Sequence, residues 1–481
     1  MEWTFPDINF TLLSPEIIVL AVALLILLMD PLISRRTKVI SAHLGWIGIV
    51  LAFAAVVRLW NLNQTSFNEM FILDNFACFF KFIFLVSSFL VILASVSYLK
   101  EEQIFHGEYF SLILFSTLGM MLMASSFDLI VIFLGMELMS LSLYVLAGFR
   151  RHDLKSNESA VKYFLIGAFA SGFLLFGIAL IYGATSTTNL AQILLNLSYS
   201  GFQKTSMAWI GMGLFVVGFG FKIASVPFHM WAPDVYQGAP TPVAAFISAG
   251  PKAAGFAALL RVLVLAFADY QVEWSIVLWV LAALSMTVGN VVALSQTDIK
   301  RLLAYSSIAH AGYVLVALVG GGEQGVSSAL FYLLVYVFMN IGAFTVVTAL
   351  GEGKTGLEHY SGLVSRNPTL SVVMAIFLLS LAGFPPFGGF LAKFYVFGAA
   401  VKSGYVGLAL IAVLNSFVAV YYYLRVVVIM FMHVSPAKTN PVFVPIGLRL
   451  TLLMACLATL WLGILPDTFL MLAKNSFLLL F

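Results

Sequence analysis

The sequence predicts an all-α polytopic membrane protein with about fourteen transmembrane helices, including two inverted five-helix repeats that each contain a broken helix. Of its 481 residues, 62% are hydrophobic and only 9% are charged, whereas soluble domains carry roughly a quarter charged residues. Fourteen apolar segments approach the length of about twenty residues that a helix needs to cross a bilayer. Two of these segments are interrupted by prolines. Together these features indicate a helical membrane protein built around helix breaks.

The apolar segments follow one another with short loops, which leave no room for a large soluble domain. The first segment follows MEWTFPDINF, which contains acidic residues and no basic n-region, so we interpret it as an uncleaved span. The predicted spans lie near 13–32, 39–60, 75–98, 109–126, 128–148, 159–183, 205–235 (broken), 241–268, 273–296, 302–320, 325–350, 369–401 (broken), 404–432 and 446–472.

Loop charges predict the orientation of the chain. Loops after odd-numbered spans contain twelve lysines and arginines: Arg35, Arg36, Lys38, Lys100, Arg150, Arg151, Lys155, Lys300, Arg301, Lys354, Arg366 and Lys438. Loops after even-numbered spans contain only Lys204 and Lys402. Since basic loops stay in the cytoplasm, we expect a bacterial inner-membrane protein with both termini on the periplasmic side.

Prolines interrupt the seventh and twelfth spans. The first break lies in KIASVPFHMWAPDVYQGAPTP and the second in LAGFPPFGGFLAKF. A proline frees backbone groups that lipid cannot satisfy, so each break must be buried in protein or line a watery cavity. Because five spans, an odd number, separate the breaks, repeats of spans four to eight and nine to thirteen would be inverted, as in many transporters. We therefore divide the chain into 1–107, 108–271, 272–434 and 435–481.

Ionisable residues deep within the spans are few, and such residues normally mark ion or proton routes. We predict functional roles for Glu137, Lys222, Lys252 and Lys393. His229 and His310 are candidates too, although a lone histidine is often a satisfied core residue. Lys162 lies only one turn inside its span, where its side chain could instead reach the membrane surface. We expect the same surface placement for four other cations: Arg58, Lys81, Arg261 and Arg425.

Several classes of partner and cofactor find no support in the sequence. A net charge of +3 is too small to indicate a nucleic-acid partner. Cys78 and Cys456 are isolated, and no Gly-x-Gly-x-x-Gly motif follows a predicted strand. We therefore expect no cofactor or metal in this chain. A redox protein that binds haem or quinone is disfavoured, because no bis-histidine spacing exists.

Three segments carry a specific family resemblance. WAPDVYQGAPTPVAAFISAGPK, LAYSSIAHAGY and LAGFPPFGGFLAKF closely resemble the subunit N family of bacterial NADH–quinone oxidoreductase (complex I), and the likeness covers essentially the whole chain. The sister subunits L and M and the Mrp antiporters usually have His-Ala-x-Ala-Pro-Thr-Pro where this chain reads VYQGAPTP. Subunit M also has a glutamate where Lys393 stands.

The resemblance implies fourteen helices with inverted repeats and a role in proton translocation driven by electron transfer from NADH to quinone in other subunits. It implies that the proton path consists of Glu137 and Lys222 as a pair, Lys252 and His310 as the central link, and Lys393 as the terminal lysine. Lys162 and His229 match positions that the family associates with proton transfer. FMN, iron–sulfur clusters and quinone would belong to partner subunits, which would include further antiporter-like subunits and small helical ones. The alternative is an Mrp-type cation/proton antiporter subunit.

Overall fold

The computed structural model describes residues 8–34, 38–198, 202–434 and 441–477. Arg35, Arg36, Lys438 and the side chain of Lys204, which entered the loop charge count, lie outside the described part. The helices are α1 (Ser14–Met29), α2 (Val39–Arg58), α3 (Asn75–Glu101), α4 (Glu108–Ala124), α5 (Leu129–Ala147), α6 (Leu154–Thr185), α7 (Leu190–Ser198), α8 (Phe202–Ile223), α9 (Trp231–Gly238), α10 (Thr241–Arg261), α11 (Gln271–Leu294), α12 (Ile299–Gly320), α13 (Gly322–Leu350), α14 (Leu363–Arg366), α15 (Pro368–Ala382), α16 (Gly388–Lys402), α17 (Val406–Met432), α18 (Ile446–Ile464) and α19 (Asp467–Lys474).

The predicted membrane fold is confirmed. Within the described ranges, 12 helices are long and apolar enough to span a membrane, and the shorter apolar helices α4 and α15 bring the count to fourteen. The seventh predicted span is split into α8 and α9, and the twelfth into α15 and α16. The breaks therefore fall where the prolines predict them.

Small elements between the spans were not predicted. Strands β1 (Gln64–Ser66) and β2 (Phe71–Leu73) form an antiparallel hairpin between α2 and α3. The last predicted span, 446–472, divides at Ile464, and α19 begins after Pro466. Proline disfavours the helical conformation in the residue before it, and Leu465 is accordingly not helical (φ −129°, ψ 66°).

The core of the bundle consists of α10, α12 and α13. Every residue of α10 is buried, including Lys252 and Arg261. In contrast, α1, α2, α6, α17 and α18 present large apolar side chains on the outside of the chain. Such an apolar exterior is expected of helices that face lipid or other membrane subunits.

Glycines allow the closest helix contacts. A Cβ atom at Gly119 of α4 would lie 2.5 Å from the carbonyl oxygen of Gly135 on α5, so no larger residue fits. Small residues of this kind let membrane helices pack backbone to backbone. Ion pairs bring the described loops that contain Arg150, Lys300, Arg301 and Glu352 together at one end of the bundle, which we call the basic end.

Candidate functional site

The first helix break places Lys222 in the protein interior. Lys222 lies in the last turn of α8 and is only 3% exposed. Its Nζ donates to Ser140 Oγ at 2.7 Å. It also lies 5.5 Å from the centre of the Tyr163 ring. A cation at a helix C-terminus faces the negative end of the helix dipole. The break thus supplies a favourable site for a buried lysine.

Backbone groups freed by this break find partners in the protein. Val226 N donates to Ser285 Oγ of α11, and Trp231 Nε1 donates to the Phe221 carbonyl. A break inside a membrane protein is tolerated only when such partners exist. The bond to Ser285 also ties the break in the first predicted repeat to a helix of the second.

Glu137 lies on α5, half-buried, and accepts a hydrogen bond from Ser171 Oγ of α6. Among the described side chains, Glu137 and Lys222 form no ion pair within 4 Å. Ser140, the hydrogen-bond partner of Lys222, is three residues further along α5, on the same side of the helix as Glu137. The two charged groups are therefore neighbours across Ser140.

Lys252 is the next buried lysine along the chain. Its Nζ donates to the Ser307 carbonyl and to Ser307 Oγ, at 2.9 and 2.8 Å. Gly255, three residues along α10, faces the Lys222 stem, because a Cβ there would lie 3.4 Å from Lys222 Cγ. The contact with Ser307 on α12 joins the two predicted repeats.

His310 lies one turn beyond Ser307 on α12 and is surrounded by tyrosines. Its Nδ1 lies 2.6 Å from Tyr332 OH and its Nε2 lies 3.2 Å from Tyr423 OH, which also bonds Ser306 Oγ. All of these groups are buried. An imidazole between two hydroxyls can give a proton to one side and accept one from the other.

The second helix break holds Lys393. Its Nζ donates to the carbonyl of Ala382, the last residue of α15, at 2.9 Å, and lies 4.8 Å from the centre of the Tyr313 ring. Gly383 follows with φ +93°, a conformation that favours glycine. The Lys393 ammonium thus lies at the C-terminus of α15, although Lys393 itself belongs to α16, whereas Lys222 lies in the last turn of its own helix. Tyr313 lies 5.6 Å, ring to ring, from His310.

Successive contacts relate the five main candidates in a line from Glu137 through Lys222, Lys252 and His310 to Lys393, in which Gly255 of α10 connects Lys222 with the helix of Lys252. The two remaining candidates lie beside it. Lys162 pairs with Glu158 and with Asp234 of α9, each at 2.6 Å, and is 39% exposed near the basic end. His229 lies within the first break, and its Nδ1 has no hydrogen-bond partner among the described residues.

Two cations that we placed near the membrane surface are instead buried, so that expectation is wrong. Lys81 is 0% exposed and pairs with Glu16 of α1 at 2.7 Å. Arg261 is also 0% exposed, and its guanidinium donates both to Asp74 and to the Ala124 carbonyl. Arg58 is exposed. Arg425 donates to the carbonyls of Leu294, the last residue of α11, and of Gln296 in the loop that follows. Glu16 and Asp74 lie near span ends in the sequence, so nothing there distinguished them from interfacial acids.

Comparison with known proteins agrees with the family resemblance of the three sequence segments. Residues 126–419 match the family model described as "NADH:quinone oxidoreductase/Mrp antiporter, TM". NADH-quinone oxidoreductase subunit N of Trichlorobacter lovleyi is 50% identical over 475 residues, 98% of each chain. The chain belongs to the subunit N family. Subunit N 1 of Thermodesulfovibrio yellowstonii is 46% identical and covers 94% of this chain and 96% of its own.

Solved structures show how widely the fold of this chain is shared. A chain of respiratory complex I from Thermus thermophilus, solved with bound aureothin, is 35% identical, with a TM-score of 0.83 over 96% of this chain and 99% of that one. A chain of the Mrp complex from Dietzia sp. has a TM-score of 0.85 but only 22% identity, covering 98% and 97%. The Mrp likeness therefore concerns the fold alone, and sequence identity favours complex I.

Proposed function

We propose that this chain translocates protons across the bacterial inner membrane as subunit N of an NADH–quinone oxidoreductase. The observation that carries this proposal is the buried line of titratable groups between the two broken helices. Lipid-exposed charges are costly, and buried lysines in membrane proteins are normally part of ion or proton routes. The chain is a subunit of an oxidoreductase in which, we infer, FMN, iron–sulfur clusters and quinone are bound by other subunits.

Proton transfer along the line would use groups that can both lose and regain a proton. Lysine is suited to this role because its ammonium can be deprotonated, whereas arginine stays charged. Lys222 would exchange protons near Glu137, with Ser140 as a neighbouring hydroxyl. Lys252, Ser307, Tyr423 and His310 would then connect to Lys393 across the contact between the repeats.

Hydroxyls near Lys252 support this route. Tyr236 and Tyr336 are buried and their hydroxyls face Ser307, but neither makes a hydrogen bond of ordinary length and angle with a described residue. Buried polar groups without protein partners commonly bind water. Water bound there would join the tyrosine hydroxyls to the Lys252–Ser307 contact. Lys162 and His229 would act beside this line, at the basic end and at the first break.

Energy for pumping would come from neighbouring subunits. Moving one proton against a membrane potential of about 150 mV costs roughly 3.5 kcal/mol. We infer that a conformational or electrostatic signal, originating from quinone reduction elsewhere in the complex, supplies this energy through the subunits that contact this chain. The four segments 1–107, 108–271, 272–434 and 435–481 would then act as an N-terminal unit, two inverted repeats and a final helix.

The proposed orientation is testable with reporter fusions. A reporter attached after Phe481 is expected on the periplasmic side, and a reporter inserted near Arg151 is expected in the cytoplasm. The reason is that loops rich in lysine and arginine, such as those at the basic end, stay in the cytoplasm. Paired alkaline phosphatase and green fluorescent protein fusions measure the two sides. The reverse pattern would contradict the proposed orientation.

Behaviour of the isolated chain separates the proposed function from the antiporter alternative. Purified alone in liposomes with an internal pH indicator, the chain is expected neither to oxidise NADH nor to exchange sodium for protons rapidly, since its driving subunits are missing. The assembled complex in matched liposomes is the positive control. Rapid sodium/proton exchange by the isolated chain would favour an Mrp-type antiporter.

A further inference from the structure

Glu352 connects the two predicted repeats at the basic end. It lies just after α13, and its side chain is 6% exposed. Its Oε1 accepts from Lys300 Nζ at 2.7 Å, and its Oε2 accepts from Thr241 N and Thr241 Oγ1 at 3.1 and 2.7 Å. Lys300 is fully buried and also donates to the Ala239 carbonyl at 2.7 Å. Glu352 and Lys300 belong to the second repeat, whereas Ala239 and Thr241 belong to the first.

The charge on Glu352 matters to the start of α10. The residue before that helix, Pro240, provides no side-chain cap, and the first backbone N–H groups of a helix need partners from elsewhere. A carboxylate at a helix N-terminus is also stabilised by the helix dipole. Burial would raise the pKa of the Glu352 carboxyl, but Lys300 and the hydrogen bonds around it lower that pKa below its usual range. Glu352 is therefore ionised at neutral pH.

A second set of hydrogen bonds joins the two predicted repeats, between α9 and the start of α12. Arg301 Nη1 donates to Asp234 Oδ1 at 2.7 Å and to Gln237 Oε1 at 3.1 Å. Gln237 Nε2 in turn donates to Asp298 Oδ2 at 3.2 Å. Asp234 and Gln237 are on α9, the second half of the broken helix, while Asp298 and Arg301 are at the start of α12. The start of α12 is thus hydrogen-bonded to α9.

Both contacts lead directly to the proposed proton route. Ser307 lies seven residues after Lys300 on α12, about 10 Å along the helix. Lys252 lies eleven residues after Thr241 on α10, about 16 Å along the helix. A shift between the starts of these two helices would therefore change the contact between Lys252 and Ser307.

We propose that Asp234, Lys300, Arg301 and Glu352 form an inter-repeat latch that sets the position of Ser307 relative to Lys252. These four are positioning residues. Their side chains contact one another, the ends of α9 and α10, and five further side chains: Tyr98, Arg150, Lys162, Gln237 and Gln296. The latch rests on the proposed function, in which Lys252 passes protons. Its role would be to transmit movement of the broken helix to the contact between the repeats.

The test compares variants in the assembled complex, reconstituted in liposomes, by the number of protons pumped per NADH oxidised. Misplacing reacting groups by about 1 Å can cost roughly 10²-fold in rate, so Glu352→Gln and Arg301→Gln are expected to lower this ratio while NADH oxidation continues. Arg301→Lys, which keeps the positive charge opposite Asp234, should restore part of it. If Glu352→Gln prevents assembly, the test uses Arg301→Gln. The Arg301 side chain is 27% exposed, so its replacement is expected to disturb assembly less.

Arg366→Gln is the matched control. Arg366 is an arginine at the same end, but it donates to the carbonyl of His359, within the second repeat, and has no contact with the latch among the described residues. The ratio of this variant should be unchanged. A purely structural role for the latch would instead lower the amount of assembled complex and leave its ratio normal in both latch variants, and this result would overturn the proposal.

Lys252→Ala distinguishes failure of the latch from failure of the proposed function. A low ratio in Lys252→Ala with a full ratio in Glu352→Gln and Arg301→Gln would reject the latch alone. A full ratio in Lys252→Ala would reject the proton route on which the latch rests.

Discussion

Complexes carrying Lys222→Ala are expected to assemble and to lose proton pumping through this subunit. Lys222 is buried at the C-terminus of α8, donates to Ser140 and lies next to Gly255 of the helix that carries Lys252. Removing a positioned proton-transfer group typically costs roughly 10² to 10⁴-fold in rate. Proton uptake and release by reconstituted complexes, measured with a pH-sensitive dye during NADH oxidation, should therefore fall to the share carried by other subunits.

The variant Lys222→Arg tests whether residue 222 must lose and regain a proton or must only carry a positive charge. Arginine keeps a positive charge at this position but cannot be deprotonated in proteins, so it should fail to restore pumping. Lys155→Ala is the control, since Lys155 is an exposed lysine at the start of α6. Normal pumping and electron transfer in Lys222→Ala would remove this residue from the mechanism, and full activity in Lys222→Arg would mean that only its charge is needed.

Replacement of Lys81 by methionine is expected to be among the most destabilising single changes in the chain. Lys81 and Glu16 are 0% and 3% exposed and pair at 2.7 Å, and neither charged group has another hydrogen-bond partner among the described residues. Removing one member of a buried ion pair leaves the other charge uncompensated and typically costs about 3–5 kcal/mol. The yield of assembled complex and its thermal stability in detergent should both decrease.

The double variant Lys81→Met with Glu16→Leu is the matched comparison. Replacing both members of a buried pair by apolar residues is often neutral or stabilising, by about 1–4 kcal/mol. The double variant should therefore recover the yield and thermal stability lost by Lys81→Met. Equal loss in both variants would show that the shape of the site, and not its buried charge, sets the stability.

The sequence by itself determined the membrane class, the number of spans and the positions of both breaks. These properties are local, because hydropathy and proline act over about twenty residues or fewer. The same reasoning identified Lys222, Lys252 and Lys393 as buried, since each is far from the ends of its span or next to a break. The family followed from the motifs around these residues, and the comparisons with known proteins confirm it.

Only the tertiary structure decided which group each charge contacts. Asp74 and Arg261 are 187 residues apart, and Lys162 and Asp234 are 72 apart. Lys222 contacts Ser140 directly, with Glu137 held by Ser171. Hydropathy along one helix says nothing about which other helix packs against it, so the burial of Lys81 and Arg261 could not be read from their distance to a span end. The partner of a charge is set by helix packing, and that depends on the whole bundle at once.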